Sequence, residues 1–429
     1  MFKKTNTMED VVGLVDLGTS KVSCVILQRP RHSASETMDG WRTLGHSHVQ
    51  SDGIRAGMLV DIERAEAATR RAIGMAEDEA DLTLNDIVVG VSNGRLRSLH
   101  FSAAVDLAEH HVQRHDLRRL AQSARQYVEQ QGKTLLYLNP VHFNLDQATT
   151  VLQPLGRRGQ QLSCQFHAVT TDEATLLAFE QLAARCGLSI RSILPTGLAS
   201  AYAATTQDER LQGVTCIDIG AGVTNIATMH EGRLLHVDTL AIGGANLTHD
   251  VSAMLNAQLA DAERIKTLYG TMISAPSDYG VRIEYPQAGA AASQPTGVIS
   301  AEVYTTSRAD IAKILTPRAM RQLQLIGDRL DQSKVTREFA QSIVLTGGGS
   351  QLVGLSSVAG ELFSKPVRIG QRQLINGSNS SYTNPSASTV LGLGLAEVFA
   401  PTAIESRISD KIAYESYLKR MEQWLRESF

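Results

Sequence analysis

Four cysteines in 429 residues, Cys24, Cys164, Cys186 and Cys216, form no CxxC pair. That scatter argues against a zinc site and against a disulfide framework, and fits a reducing compartment. No apolar run approaches the roughly 20 residues that cross a bilayer, so the chain is expected not to span one. The opening stretch, Met1 to Asp10, lacks the apolar core of a signal peptide. No long basic stretch occurs, and a formal net charge of -3 gives no general attraction for nucleic acid. The GxxxxGK(S/T) of a P-loop is missing, and Gly392-Leu393-Gly394 lacks the third glycine of a dinucleotide fingerprint. Aromatics are only 5%, against 43% apolar and 20% charged residues, a composition expected of a soluble globular protein. The length exceeds one ordinary core, so two or more domains are expected.

Strand-like and helix-like patterns alternate, which predicts a mixed α/β protein. Val11–Val15 and Val22–Leu27 read as strands around the polar turn Asp16-Leu17-Gly18-Thr19-Ser20-Lys21. Asp61 to Ala80 reads as a helix, and Asp172–Cys186 as another, closed by Gly187. Between them lies a segment with its own strand and helix signals. Val214–Ile217, Asp218-Ile219-Gly220-Ala221-Gly222-Val223-Thr224 and Asn225–Met229 then repeat strand, glycine-rich turn and strand about 200 residues on. Ile311–Asp331 reads as a long helix, and Gln371–Ser388 as a polar loop.

An acidic residue ending a buried strand, followed by glycine and hydroxyl residues and a second strand, is a phosphate-binding hairpin. Glycine lets backbone N–H groups point at phosphate oxygens. Hydroxyls and Lys21 add donors and charge, while the aspartate holds Mg²⁺ through water. One such turn is equally a plain hairpin. Two, in matching halves, predict a clamp on a polyphosphate: Asp16, Gly18, Thr19, Ser20 and Lys21 against Asp218, Gly220, Gly222 and Thr224, with Asp16 and Asp218 toward the metal. A third cluster, Thr346-Gly347-Gly348-Gly349-Ser350, follows an apolar strand and offers a flat backbone to adenine.

The order of these segments resembles the actin, heat-shock chaperone and sugar-kinase superfamily. Within it, Ala241-Ile242-Gly243-Gly244, Asp261-Ala262-Glu263-Arg264-Ile265-Lys266, Ile343-Val344-Leu345-Thr346-Gly347-Gly348 and Val367-Arg368-Ile369-Gly370 resemble the bacterial cell-division family FtsA, as does the ending Tyr417 to Phe429. The resemblance implies two actin-like lobes, each on a ribonuclease-H-like sheet, with ATP and Mg²⁺ between them. It assigns Gly243, Gly244, Glu263, Lys266, Gly347, Gly348 and Gly349 to the nucleoside. It divides the chain into first-lobe segments 8–85 and 166–205 around an inserted subdomain at 86–165, and second-lobe segments 206–245 and 311–385 around a small subdomain at 246–310. A closing helix at 386–400, a linker at 401–410 and an amphipathic helix at 411–429 follow. The insertion would contact neighbours along a filament. The small subdomain would receive the C-terminal peptide of the tubulin-like division protein FtsZ, with Arg308 as a charge contact. The implied location is the cytoplasmic face of the cell membrane at the division site.

Ala221, Val223 and Asn225 break the superfamily's second-hairpin pattern, and Leu194 and Thr196 stand where relatives position the attacking water. ATP binding with slow or negligible hydrolysis, below about one turnover per second, is the expectation. No catalytic residue is assigned.

On a helical wheel Tyr414, Tyr417, Leu418, Met421, Trp424 and Leu425 share roughly 120° of arc. Lys419, Arg420 and Arg426 lie on the polar face, and the net charge from Lys411 to Phe429 is +1. Such a helix suits a lipid interface, held mainly by its apolar face; docking on a protein groove is the alternative. PilM, a pilus-associated actin-fold relative, shares the insertion but normally lacks this tail. A small-molecule kinase would need a catalytic carboxylate in the cleft, and a chaperone a further peptide-binding domain. Gly90-Val91-Ser92-Asn93-Gly94 mimics a hydrolase elbow but leads into strand, not helix. His110, His111 and His115 find no Glu or Cys to complete a metal set and read as a solvated helix face.

Overall fold

The computed structural model describes residues 11–29, 40–108, 110–146, 149–151, 153–286, 303–370 and 384–399. The expected linker and tail helix, 401–429, lie outside the described residues.

The first lobe opens with β1 (Val11–Leu17), β2 (Lys21–Gln28) and β3 (Arg42–Gln50), an antiparallel meander, then a small ribbon of β4 (Ile54–Arg55) and β5 (Met58–Leu59). Helix α1 (Ile62–Ala80) starts at Asp61, whose carboxylate accepts the Arg64 N–H and caps the first turn. Its buried residues Ala65, Ala68, Thr69, Ala72, Ile73 and Ala76 recur at three- and four-residue steps and cover the sheet. The contact is close because β3 carries Gly45, where a Cβ would stand 2.0 Å from the Ala76 carbonyl oxygen. Strand β6 (Asp86–Val91) returns parallel to β1.

The chain then leaves the lobe for an insertion: β7 (Arg97–Asp106), α2 (Arg114–Gln130), β8 (Thr134–Leu145), β9 (Thr149–Val151) and β10 (Gln161–Thr171), with sheet order β7-β10-β8-β9. Helix α3 (Glu173–Arg185) and strand β11 (Ser189–Pro195) re-enter the first lobe, completing the order β3-β2-β1-β6-β11. The insertion had been expected at 86–165. Asp86–Val91 instead pairs with β1 and β11 inside the first-lobe sheet, and β10 carries the insertion on to Thr171.

Helix α4 (Thr196–Ala204) crosses to the second lobe, which repeats the plan. After α5 (Gln207–Gln212) come β12 (Val214–Ile219), β13 (Thr224–His230) and β14 (Arg233–Leu240), again an antiparallel meander. Then follow α6 (Gly244–Leu255), α7 (Leu259–Tyr269), the hairpin β15 (Arg282–Pro286) and β16 (Val303–Ser307), the long α8 (Arg308–Gln332) and α9 (Lys334–Phe339). Strand β17 (Ser342–Thr346) lies parallel to β12, and after α10 (Leu355–Phe363) β18 (Val367–Ile369) lies parallel to β17. The resulting order, β14-β13-β12-β17-β18, reproduces that of the first lobe strand for strand. The last helix, α11 (Ser388–Phe399), packs on α4 so closely that a Cβ at Gly392 would meet the Ala199 carbonyl oxygen at 1.8 Å.

A second bridge joins the lobes. Strand β14 is an edge strand, and edge strands leave backbone groups unpaired. Side chains of the insertion fill them. Asn139 Nδ2 donates to the Leu234 carbonyl at 2.9 Å, and His167 Nδ1 faces the same oxygen at 3.0 Å. Ser98 Oγ donates to the Val237 carbonyl at 2.9 Å and accepts the Val237 N–H at 2.8 Å. Around this joint His100 stacks on His167, ring centres 4.8 Å apart, with His236 alongside. Burial, reinforced by the neighbouring imidazoles, holds His167 well below its ordinary value; burial also lowers His100, and takes His236 down to about 4.

These histidines are neutral in the folded joint, whereas the unfolded chain takes up protons near 6.5. The unfolded state therefore binds more protons below that point, and stability is lost as pH falls from about 6.5 toward 4. Thermal melts between pH 7.5 and 5 are expected to show a steady decline, reduced by His167→Gln; an unchanged melting temperature across the range would remove the cluster from this account.

Candidate functional site

The repeated sheet order brings the β1–β2 and β12–β13 turns face to face. Each turn is closed by its own backbone bond, Gly18 N–H to the Lys21 carbonyl at 3.1 Å and Gly220 N–H to the Val223 carbonyl at 2.9 Å. Between them lies a cavity of about 510 Å³, bordered by Asp16, Gly18, Thr19, Ser20 and Lys21 on one side and Asp218, Gly220 and Gly222 on the other. That volume suits a small-molecule ligand. The turns touch: a Cβ at Gly222 would come within 2.5 Å of Thr19 Oγ1. Thr19 Oγ1 is itself buried with no hydrogen-bond partner among the described residues, as is Thr196 Oγ1 on the same wall. Orphaned hydroxyls cost free energy unless a ligand satisfies them.

Asp218 is buried, and its Oδ2 accepts Ser200 Oγ at 2.6 Å and Thr389 Oγ1 at 2.9 Å. Burial raises its carboxyl, with those two hydroxyls and Lys21 pulling the other way. Asp16 keeps some exposure to the cleft, yet the surrounding protein pushes it up to about 6, against Lys21 and with help from the Asp218 charge. Lys21 is lowered by burial, though both carboxylates oppose this. Its Nζ donates to the Ser386 carbonyl at 2.9 Å and lies 3.2 Å from Ser386 Oγ. Two carboxylates and one ammonium leave a negative excess, which a divalent cation would balance.

At the far end the cavity is lined by Gly244, Glu263, Lys266, Gly347, Gly348 and Gly349. Lys266 Nζ bonds Glu263 Oε2 at 2.7 Å and Thr248 Oγ1 at 2.8 Å, so the pair stands as a fixed fork at the rim. Burial would raise Glu263, but Lys266 and Thr248 outweigh it and hold the carboxyl below its usual value. Gly347 has φ +82°, and a Cβ there would stand 2.2 Å from Asp218 Oδ1. Only glycine lets this turn pass beside the carboxylate.

Two expected contacts, Thr224 and Gly243, are corrected, and a third residue, Arg308, has partners within the chain. The Thr224 hydroxyl turns away from the cavity and donates to the Ile242 carbonyl at 2.9 Å, because residue 224 opens β13 facing β14. Gly243 is a spacer behind the wall: its carbonyl takes Gln322 Nε2 at 2.8 Å, and a Cβ would meet the Ala221 carbonyl oxygen at 2.5 Å. Arg308 is already engaged, Nη1 on Asp278 Oδ1 at 3.2 Å and Nε on the Tyr269 carbonyl at 3.3 Å. Tyr414, Tyr417, Leu418, Lys419, Arg420, Met421, Trp424, Leu425 and Arg426, expected to face a membrane, lie outside the described residues.

Other wall residues had no local signal. Ser386 and Thr389 arrive from the turn before α11 and from its first residues, while Ser200 of α4 is buried behind the wall and bonds Asp218. Asn225, one of the residues that break the second-hairpin pattern, accepts Ser92 Oγ at 2.8 Å and Thr239 Oγ1 at 3.2 Å, so it ties the first lobe to the second beside the cavity. Ser92, from the hydrolase-like pentapeptide, thus has a cross-lobe partner.

Gly347→Ala is expected to lower stability by about 1–3 kcal/mol, through left-handed strain and crowding of Asp218. Urea unfolding checks this, and a change below a few tenths of that unit would contradict the close approach.

A family model described as "Cell division protein FtsA" matches residues 215–392, and one described as "SHS2 domain inserted in FTSA" matches residues 93–170, which contain β7 to β9 and nearly all of β10. Among solved structures, a PilM–PilN type IV pilus biogenesis complex is similar, with TM-score 0.62, 15% identity and coverage of 90% of this chain and 97% of that one. MreB5 of Spiroplasma citri bound to ADP gives TM-score 0.52 at 13% identity, covering 91% and 96%. Both establish the actin-like fold alone. The cell division protein FtsA of Rhizobium meliloti (strain 1021) is 32% identical over 428 residues, 98% of this chain and 95% of that protein. Sharing that identity along nearly its whole length, with the inserted domain in place, the chain belongs to the FtsA family of cell-division proteins.

Proposed function

We propose that the chain binds ATP with Mg²⁺ between its lobes, polymerises, and tethers FtsZ to the inner face of the cytoplasmic membrane at the division site. The observation that carries the nucleotide reading is the pair of facing hairpins around one cavity, with an unsatisfied Thr19 hydroxyl and two carboxylates beside Lys21. The similar MreB5 structure holds ADP. In this reading the hairpin amides, Thr19, Ser20 and Lys21 hold the phosphates. Asp16 and Asp218 hold the metal through water, and the Glu263–Lys266 fork with Gly347–Gly349 flanks the nucleoside. The metal supplies charge neutralisation of the triphosphate.

Asp16 ionises near pH 6, so it offers the metal a carboxylate above that value and a neutral acid below it. Affinity for Mg·ATP, read by fluorescent-analogue displacement, is expected to fall as pH drops from 7.5 to 5.5, and Asp16→Asn to flatten that slope. Lys21→Ala should weaken binding at least tenfold. Retained affinity in the Lys21 variant would sink the phosphate assignment.

The small subdomain exposes Val303 and Tyr304 on β16 and Tyr279 and Val281 just before β15, apolar surface fitting a short FtsZ peptide. Arg308 sits at its edge, with its charge shared by Asp278. Arg308→Glu is expected to weaken FtsZ-peptide binding with ATP affinity unchanged; equal peptide affinity would remove Arg308 from the contact.

One tail helix buries only a few large side chains, each worth at most about 1.5–3 kcal/mol, so a single copy binds reversibly. A filament bearing many tails holds firmly by avidity. In liposome co-sedimentation the full chain should pellet, more so with ATP, and a chain truncated after Asp410 should not. If both stay in the supernatant, the helix docks on protein instead.

A further inference from the structure

The insertion holds a cluster unconnected with the cleft. His110 follows β7, and His115 and Asp116 sit in the first turn of α2. Asp116 is fully buried. Its Oδ2 accepts the Gln113 N–H at 2.9 Å and lies 3.0 Å from His110 Nε2. Its Oδ1 lies 3.1 Å from His115 Nε2 and 3.4 Å from Arg119 Nη1. The two imidazoles face one another with ring centres 5.7 Å apart, and the three ligand atoms all lie within 4.8 Å of one another.

The geometry points to a binding site for a divalent transition metal of the zinc class, with His110, His115 and Asp116 as its ligands. Capping alone does not call for two histidines, since Gln113 and Arg119 already give one donor to each carboxylate oxygen. In a tetrahedral zinc site with bonds near 2.0–2.1 Å, neighbouring ligand atoms stand about 3.3 Å apart. His110 Nε2 stands 3.0 Å from Oδ2 and His115 Nε2 3.1 Å from Oδ1, each close to that edge on its own carboxylate oxygen. Bringing both nitrogens onto one ion beside the carboxylate takes ring rotations, and both rings are at the surface, 34% and 53% exposed, where such rotations are open to them.

With metal in place the Gln113 N–H would orient the ligating carboxylate from behind, as outer-shell donors do. Arg119, half-exposed and also donating to the Asp106 carbonyl, is free to lean away from the cation. Two imidazole nitrogens and one carboxylate favour Zn²⁺, Ni²⁺ or Cu²⁺ over Mg²⁺, so the site would not compete with the cleft for its metal. Three protein ligands leave one position for water or for a group from another molecule. Bound metal would pin the loop after β7 to the first turn of α2.

Equilibrium dialysis of the chelator-stripped full chain against ZnCl₂, with millimolar MgCl₂ present, tests this. The expected result is one zinc per chain at micromolar concentration. His110→Ala and His115→Ala should each weaken it at least tenfold while leaving the metal-free melting temperature near that of the parent chain. Cobalt in place of zinc should give visible absorption that is lost in the same variants. No uptake below about 100 µM, or uptake equal in the parent and both variants, would overturn the site and leave the histidines as hydrogen-bond donors to Asp116.

Discussion

Two carboxylates and an ammonium enclosed where two sheets meet set the terms for the rest of the molecule. Asp16 and Asp218 end equivalent strands of two sheets with the same order, so any arrangement that apposes the sheets also apposes the acids. Enclosure penalises both charges, and Lys21 offsets only part of that cost. The protein meets the remainder locally, with Ser200 and Thr389 on Asp218 and with a turn at Gly347 that has no side chain to intrude. In the proposed reading a cation and a polyanion complete the site and give the Thr19 and Thr196 hydroxyls their partners.

The lobes are held at this distance by more than the cleft. Helices α4 and α11 cross beneath it in backbone contact at Gly392, and α4 leaves the first-lobe sheet only to pack on the second. The insertion, covalently part of the first lobe, bonds through Ser98, Asn139 and His167 to the edge strand of the second. A change in cleft width therefore has to be accommodated at the insertion as well.

Much of this was legible in the sequence because it is local. Strand, glycine turn and strand occupy a dozen or so residues, and the aspartate, glycine and lysine types announce phosphate chemistry without tertiary information. Glu263 and Lys266, the pair expected at the nucleoside, share a single helix face and line the cavity. What escaped were groups delivered from elsewhere: Ser386 and Thr389 come from the closing helix, some 370 residues from Lys21 in sequence. Thr224 misled because a hydroxyl beside a glycine turn resembles a phosphate donor until strand alternation turns it to the Ile242 carbonyl. The insertion's start was misplaced because β6 after Asp86 carries no polar side chain, which fits either sheet; only its parallel pairing with β1 decides. Asp116 was overlooked as a partner for the histidines because its burial depends on the cap at Gln113.

The central claim is that both hairpins close on one ligand. Hydrogen–deuterium exchange of the full chain, with and without Mg·ATP, tests it most directly. The account predicts that peptides covering Asp16–Lys21 and Asp218–Thr224 become protected together, at the same nucleotide concentration. Protection of one hairpin alone, or of neither at saturating nucleotide, would contradict it.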